Sequence, residues 1–223
     1  MAAYESTCRS TDNLLYSAII YFYKNYNNYL SHNIKKIWDK DNATEIFLAG
    51  LNKNLISPLL KNMKVKSERD YLILKCFHEM NIAIDADADI NSYFNFKKSL
   101  NDCSDIIPKG DLKDLLICLT NSIIYISEGT SGPGLNFNKE IIDSYNLMIE
   151  NNIFLDPNGI MVGNDYINYI LAAFTLSEYE SIEILSKKFG NKIPEDRRIN
   201  DNNFSLALIC FGRKEYSKSL EHL

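Results

Sequence analysis

The chain has 223 residues, 46% of them hydrophobic and 24% charged, a balance that supports a sizeable core and excludes a disordered polypeptide. Only 9 Gly and 5 Pro are present, too few for the many tight turns of a β-sandwich or barrel, so long helices joined by short loops are expected. A net charge of -5 excludes a non-specific nucleic-acid binder, which needs surplus Lys and Arg to displace counterions.

The first expected helix, near residues 12–30, carries Tyr16, Tyr21, Phe22, Tyr23, Tyr26 and Tyr29, more rings than one helical face can bury. Packing against a neighbouring helix explains most of them, and a partner-binding patch is the sharper alternative because Tyr is enriched at interfaces. Base stacking would need interleaved cations, and only Lys24 is there. Its apolar stretch from Leu14 lacks a basic leader and a small-residue cleavage site, and no apolar run reaches the ~18 residues of a membrane span. Neither a membrane nor a nucleic acid is therefore expected among the partners. Further helices are expected near 43–56, 67–83 and 89–103, with Pro58 opening a short one.

In the next stretch Leu112, Leu115, Leu116, Leu119, Ile123 and Ile126 recur at spacings of three and four, and Ile141, Tyr145, Met148 and Ile149 do the same. Asp111 and Asn138 are the expected N-caps of these two helices. Glycine and proline collect at Gly129 to Gly134, Pro157 to Gly163 and Gly190 to Pro194, which reads as helix–turn–helix punctuation. No apolar/polar alternation bounded by hairpin turns is present, so the expected fold class is all-α.

Each pattern with catalytic or ligand-binding chemistry fails at a required position. Asp85, Asp87 and Asp89 alternate like the start of a calcium loop, but the places needing Gly and a bidentate Glu hold Ile90 and Phe96. Gly129 and Gly134 have P-loop spacing, but Leu135 and Asn136 stand where Lys and Ser/Thr are needed. His78-Glu79 begins like a zinc-protease helix, but the second His is Ile82. With His at only 32, 78 and 222, a metal site or a catalytic triad has little to work with, and Glu178 with Glu180 falls in a polar turn. No catalytic residue, metal or cofactor is expected. Five scattered cysteines, odd in number and without C-x-x-C spacing, fit a reducing compartment and hence the cytoplasm. Cys76, Cys118 and Cys210 lie in apolar helical patterns and are expected to be buried, inert thiols. The 26 Asn read as the codon preference of an AT-rich genome, because no Asn run is long.

Two segments of the last third match each other. Tyr166 to Ile182 and Asn203 to Ser219 each read as a helix, a polar turn ending in Glu-Tyr, and a second helix, with Tyr179 and Tyr216 37 residues apart. The pattern resembles the tetratricopeptide (TPR) repeat, a helix–turn–helix of about 34 residues. In the first copy Tyr166 stands at the Trp of the repeat, Tyr169 and Ile170 at Leu-Gly, Ala173 at Tyr, Ile182 at Ala and Pro194 at the closing Pro. In the second, Leu206 and Ala207 match Leu-Gly, Cys210 sits at Tyr, Ser219 at Ala and Leu223 at Phe. Ile170 and Ile182 exceed the small residues of the pattern, which implies more open packing. The three extra residues are expected near Glu195 to Asn203, in the second helix or the loop after it. The arrangement is also similar to large bacterial proteins of unassigned role that end in degenerate TPRs.

The resemblance implies a right-handed α-α superhelix, with an N-terminal helical region over 1–110 and helical hairpins over 111–223. Its degenerate repeats would span about 164–197 and 201–223, the last incomplete. It implies a non-enzymatic scaffold that holds a protein or peptide in a groove lined by the first helix of each repeat. From the matched positions those lining residues are Asn164, Ile167, Leu171 and Thr175, with Asp201, Phe204 and Leu208 from the next repeat. The sequence stops inside the second helix of the last copy, which is expected to expose Leu220 and Leu223. That favours a fragment of a longer repeat protein, or self-association through the cut repeat. The alternative function is a helical regulatory region whose catalytic or DNA-binding domain lies elsewhere in a longer protein.

Overall fold

The computed structural model describes residues 67–84, 89–129, 136–161 and 164–223, with Ser17, Ile20 and Leu60 as isolated positions. The helices expected near 12–30, 43–56 and after Pro58, the aromatic rings from Tyr16 to Tyr29, Cys8, His32, Asp85, Asp87 and the bend at 130–134 lie outside the described residues. Among the described residues there are eight α-helices with defined ends, one 3-10 turn and no strand, so the described part of the protein is all-α. The chain divides into two compact units, Met1–Ile107 and Pro108–Leu223.

In the first unit, helix α1 (Glu68–Ala83) starts where the Ser67 hydroxyl accepts the amide of Asp70 at 3.3 Å. Helix α2 (Ile90–Cys103) starts at Asp89, whose carboxylate accepts both the amide and the hydroxyl of Ser92 at 2.9 Å. These bonds hold Asp89 below the usual carboxylate range, so the aspartate that resembled a calcium ligand is a helix cap. The two helices pack on each other and bury Leu74, Cys76, Phe77, Met80, Tyr93, Phe96, Leu100 and Cys103. His78 is half-buried on α1, and burial pulls its imidazole below the ordinary value.

The second unit opens with α3 (Lys109–Gly129) and α4 (Phe137–Glu150), which form a hairpin. All six members of the α3 stripe, Leu112 through Ile126, are buried. Both expected caps move. Helix α3 begins two residues before Asp111, which lies in its first turn where a negative charge still favours the helix dipole. Asn136, not Asn138, caps α4 by accepting the Lys139 amide at 3.2 Å. Cys118 is buried as expected, whereas Cys210 further on is only half-buried.

Helix α4 is followed by α5 (Asp165–Thr175), α6 (Tyr179–Phe189), a 3-10 turn (Gly190–Lys192), α7 (Glu195–Gly212) and the short α8 (Tyr216–Glu221). The second helix of each hairpin opens at the expected tyrosine, Tyr179 or Tyr216. Residues 195–203, where the three extra residues are expected, are helical but belong to the first helix of the second hairpin rather than to the second helix of the first or the loop after it. Helix α7 runs 18 residues from Glu195, against 11 in α5, with Pro194 at its N-cap, where a missing amide proton costs nothing. Asp201 therefore sits in the second turn of α7 rather than at its start.

The connection 151–161 is held from both ends. The Asp156 carboxylate accepts the amides of Asn158 (2.9 Å) and Ile160 (2.7 Å), and Gly159 supplies the positive φ of 76° that closes the turn. The Met161 amide donates to the Lys192 carbonyl at 2.9 Å, tying this loop to the 3-10 turn after α6. Beneath it Phe154 meets Tyr145 and Phe189 edge to face, with ring centroids 5.9 and 5.0 Å apart. Burial of such side chains at about 1.5–3 kcal/mol each outweighs surface ion pairs at about 1 kcal/mol or less. Pairs such as Lys218–Glu215 are therefore minor terms.

Three helices end in the same way. After α4, α5 and α7 the chain turns through Asn152, Ser177 and Lys214, all with φ between 56° and 64°. At each, the next amide reaches back five residues: Ile153 to Met148 (2.9 Å), Glu178 to Ala173 (2.9 Å) and Glu215 to Cys210 (2.9 Å). These are Schellman caps without glycine. Asn tolerates the left-handed region, but Ser and Lys are strained there. Lys214→Gly and Ser177→Gly are therefore each expected to stabilise the protein by about 0.5–1 kcal/mol, with a smaller gain for Asn152→Gly. Urea unfolding midpoints check this, and a fall in midpoint for Lys214→Gly would refute the strain argument.

Candidate functional site

Six of the seven expected lining residues fall on α5 and α7, which pack on each other, and the seventh, Asn164, is the N-cap position of α5. Asn164 precedes α5, and Ile167, Leu171 and Thr175 follow at helical spacing; Asp201, Phe204 and Leu208 occupy the places 37 residues later on α7. Ile167, Asp201, Phe204 and Leu208 are half-buried, and Asn164, Leu171 and Thr175 are exposed. The face is therefore mixed: apolar side chains partly open to solvent, with Asn164 and Asp201 at one end and Thr175 at the other.

At the first of these ends the structure brings Asn164 and Asp201 together through Arg197. Its guanidinium donates to the Asn164 side-chain oxygen at 3.1 Å and pairs with the Asp201 carboxylate at 3.1 Å. Asn164 stands at the N-cap of α5 but makes no side-chain cap bond there. Arg197 donates to that oxygen instead. Sequence reading missed Arg197, because it lies 33 residues from Asn164 and belongs to the segment expected in the second helix or the loop after it. The Thr175 hydroxyl turns back to the Leu171 carbonyl at 2.8 Å, so it is committed to its own helix.

At the opposite end aromatic rings run across both hairpins. Tyr179 and Phe174 are 6.1 Å apart, Phe174 and Phe211 6.3 Å, and Phe211 and Tyr216 5.6 Å. Phe211 and Tyr216 are each 54% exposed, and Leu206, Leu220 and Leu223 of the last hairpin also face solvent. Gly212 lies so close to Tyr179 that an added Cβ would overlap the hydroxyl edge of the ring. Beside them Arg213 of the α7 turn and Glu183 of α6 form an ion pair of 2.6 Å.

Two polar clusters inside the second unit were also beyond sequence reading. The buried Tyr166 hydroxyl lies 2.8 Å from the Ser186 hydroxyl, 3.2 Å from the Asn202 side-chain oxygen and 3.3 Å from the Ser205 hydroxyl, joining α5, α6 and α7. Asn202 in turn donates to the Gly190 carbonyl at 3.1 Å. At the α4–α5 contact the Tyr145 hydroxyl donates to the Asp165 carboxylate at 3.2 Å and accepts from the Asn168 amide at 3.3 Å. Burial and the neighbouring Asp165 charge push the Tyr145 phenol far above its ordinary value. Burial also raises the Asp165 carboxyl, against the opposing effects of the Tyr145 bond and the Lys113 charge.

Glu178 and Glu180 are both exposed in the turn before α6. Among the described residues no group of three or more His, Cys, Asp or Glu is placed to hold a metal ion, and no helix is long and apolar enough to cross a membrane. No protein-family profile matches the chain, and no curated protein and no solved structure is significantly similar to it.

Proposed function

We propose that the chain is a non-enzymatic interaction scaffold whose TPR-like hairpins form a right-handed superhelix and present the α5–α7 face to a protein or peptide. The observation that carries this reading is the repetition of one hairpin at a 37-residue offset. The same ring pair (Phe174–Tyr179, Phe211–Tyr216) recurs in both copies at that offset, together with the cap bond (Glu178 to Ala173, Glu215 to Cys210) and left-handed position (Ser177, Lys214) that the end of α4 also shows. Helix α7 also packs on both α5 and α6, as the first helix of a repeat does on the hairpin before it. A stack of that kind places first helices side by side, and their shared face mixes aliphatic side chains with a fixed amide and guanidinium. Such a surface suits an extended or helical segment that offers apolar anchors and backbone acceptors.

The test is a pull-down with the wild type beside an Asn164→Ala/Leu171→Ala double variant, read by quantitative mass spectrometry. Both positions are exposed, so helicity by circular dichroism should be unchanged. A partner retained by the wild type is expected to fall about tenfold or more with the variant, in line with the loss of central contacts. Equal retention by both proteins would overturn the α5–α7 face as the binding surface.

A further inference from the structure

We infer that the contact between α4 and α5 is a proton-responsive joint, in which protonation of Asp165 tightens the seating of α5 on the hairpin before it. The geometry is a single carboxylate placed at a helix–helix contact with few partners. Asp165 lies in the first turn of α5, and its carboxylate accepts the hydroxyl of Tyr145, a residue 2% exposed in the core of α4. Asn168, one turn on, donates to the same hydroxyl, so the two helices meet through one phenol. When ionised, the carboxylate loses hydration on seating and gains one neutral donor in return.

The N-terminal dipole of α5 favours the carboxylate whether α5 is seated or open, and the other charges around this point do not compensate it fully. From α3, Lys113 is the nearest cation, but its ammonium donates to the Phe154 carbonyl at 3.2 Å and its field is shared with Asp156 in the loop. From α4, the facing titratable group is Tyr145 itself, held neutral by burial. On the far side Glu178 acts on Tyr169, and Arg197 of α7 engages Asn164 and Asp201. Asp165 is therefore easier to seat as the neutral acid, in agreement with the upward shift of its carboxyl.

The sign follows by linkage. The seated state binds the proton more tightly than the open, solvated state, so seating is strongest in acid and weakens as pH rises from the open-state value through the seated-state value. Each pH unit between the two values changes the seated-to-open ratio by about tenfold. Because Asn164, Ile167 and Leu171 ride on or next to α5, the joint would set how firmly that face is held.

Hydrogen–deuterium exchange on the full chain at pH 4 and pH 7.5, corrected for intrinsic rates, tests the inference. Protection of α5 amides in the wild type is expected to be greater at pH 4. Asp165→Asn keeps the shape and removes the charge, so it is expected to be equally protected at both values. A wild type with no pH dependence, or a variant that keeps it, would overturn the joint. As a check independent of any variant, the Asp165 carboxyl carbon followed by NMR should titrate above the ordinary aspartate range, and titration within that range is equally fatal.

Discussion

Ile182→Ala is expected to destabilise the second unit by about 2–4 kcal/mol, the cost of removing a buried aliphatic side chain and leaving its cavity. The residue is 0% exposed on α6, and Ile170 on the facing helix α5 is also 0% exposed. The substitution is informative because Ala is what the repeat pattern places there. If a small residue were what the close approach of these helices requires, Ala would be neutral or favourable. Both positions instead hold fully buried isoleucines on helices that pack together, so the shorter side chain leaves a void that the helices close only in part. Equilibrium urea unfolding is the measurement, and a change below about 1 kcal/mol would mean that the hairpin collapses freely onto the smaller residue.

Gly212→Ala is expected to lower stability by about 1–2 kcal/mol, against the gain of 0.5–1 kcal/mol that glycine-to-alanine changes ordinarily bring within helices. Gly212 is the last residue of α7, and the added Cβ would overlap the Tyr179 ring. The ring would have to swing away from Phe174, with which it packs at 6.1 Å. The melting temperature should therefore fall by roughly 3–8 °C. In a Tyr179→Ala background the obstacle is gone, and the same change should become neutral or stabilising. A rise in melting temperature with Tyr179 in place would show that the ring has room elsewhere.

Much of the fold could be read from residue spacing, because helices bury one stripe and the stripe recurs every three or four positions. Leu112 through Ile126 were legible for that reason, as were the two Glu-Tyr turns. What misled was local chemistry. The stretch near Glu195 to Asn203 reads as a lengthened second helix or the loop after it, and Asn competes with the helix backbone for hydrogen bonds. Tertiary packing overrode that preference: Asn202 is drawn to the Gly190 carbonyl and the Tyr166 hydroxyl, and the helix passes through it. The candidate site was half legible. Positions 164, 167, 171 and their counterparts followed from the repeat, but Arg197, Phe174 with Phe211, and Tyr145 with Asp165 are pairings between distant residues. No one-dimensional period signals a hydrogen bond spanning 20 or 33 residues.

The order in which α5 to α8 touch each other also governs how this part of the chain assembles. Their principal helix–helix contacts join elements no more than two places apart, so every closure is short and costs little chain entropy. Assembly of this stretch should be fast and free of any late, long-range docking step. The same arrangement makes cooperativity a nearest-neighbour property: α8 gains its main contact from α7, which in turn leans on both α5 and α6. Unravelling should start at α8 and move inward one helix at a time, so that a probe on Tyr216 reports a lower midpoint than a probe on Tyr166.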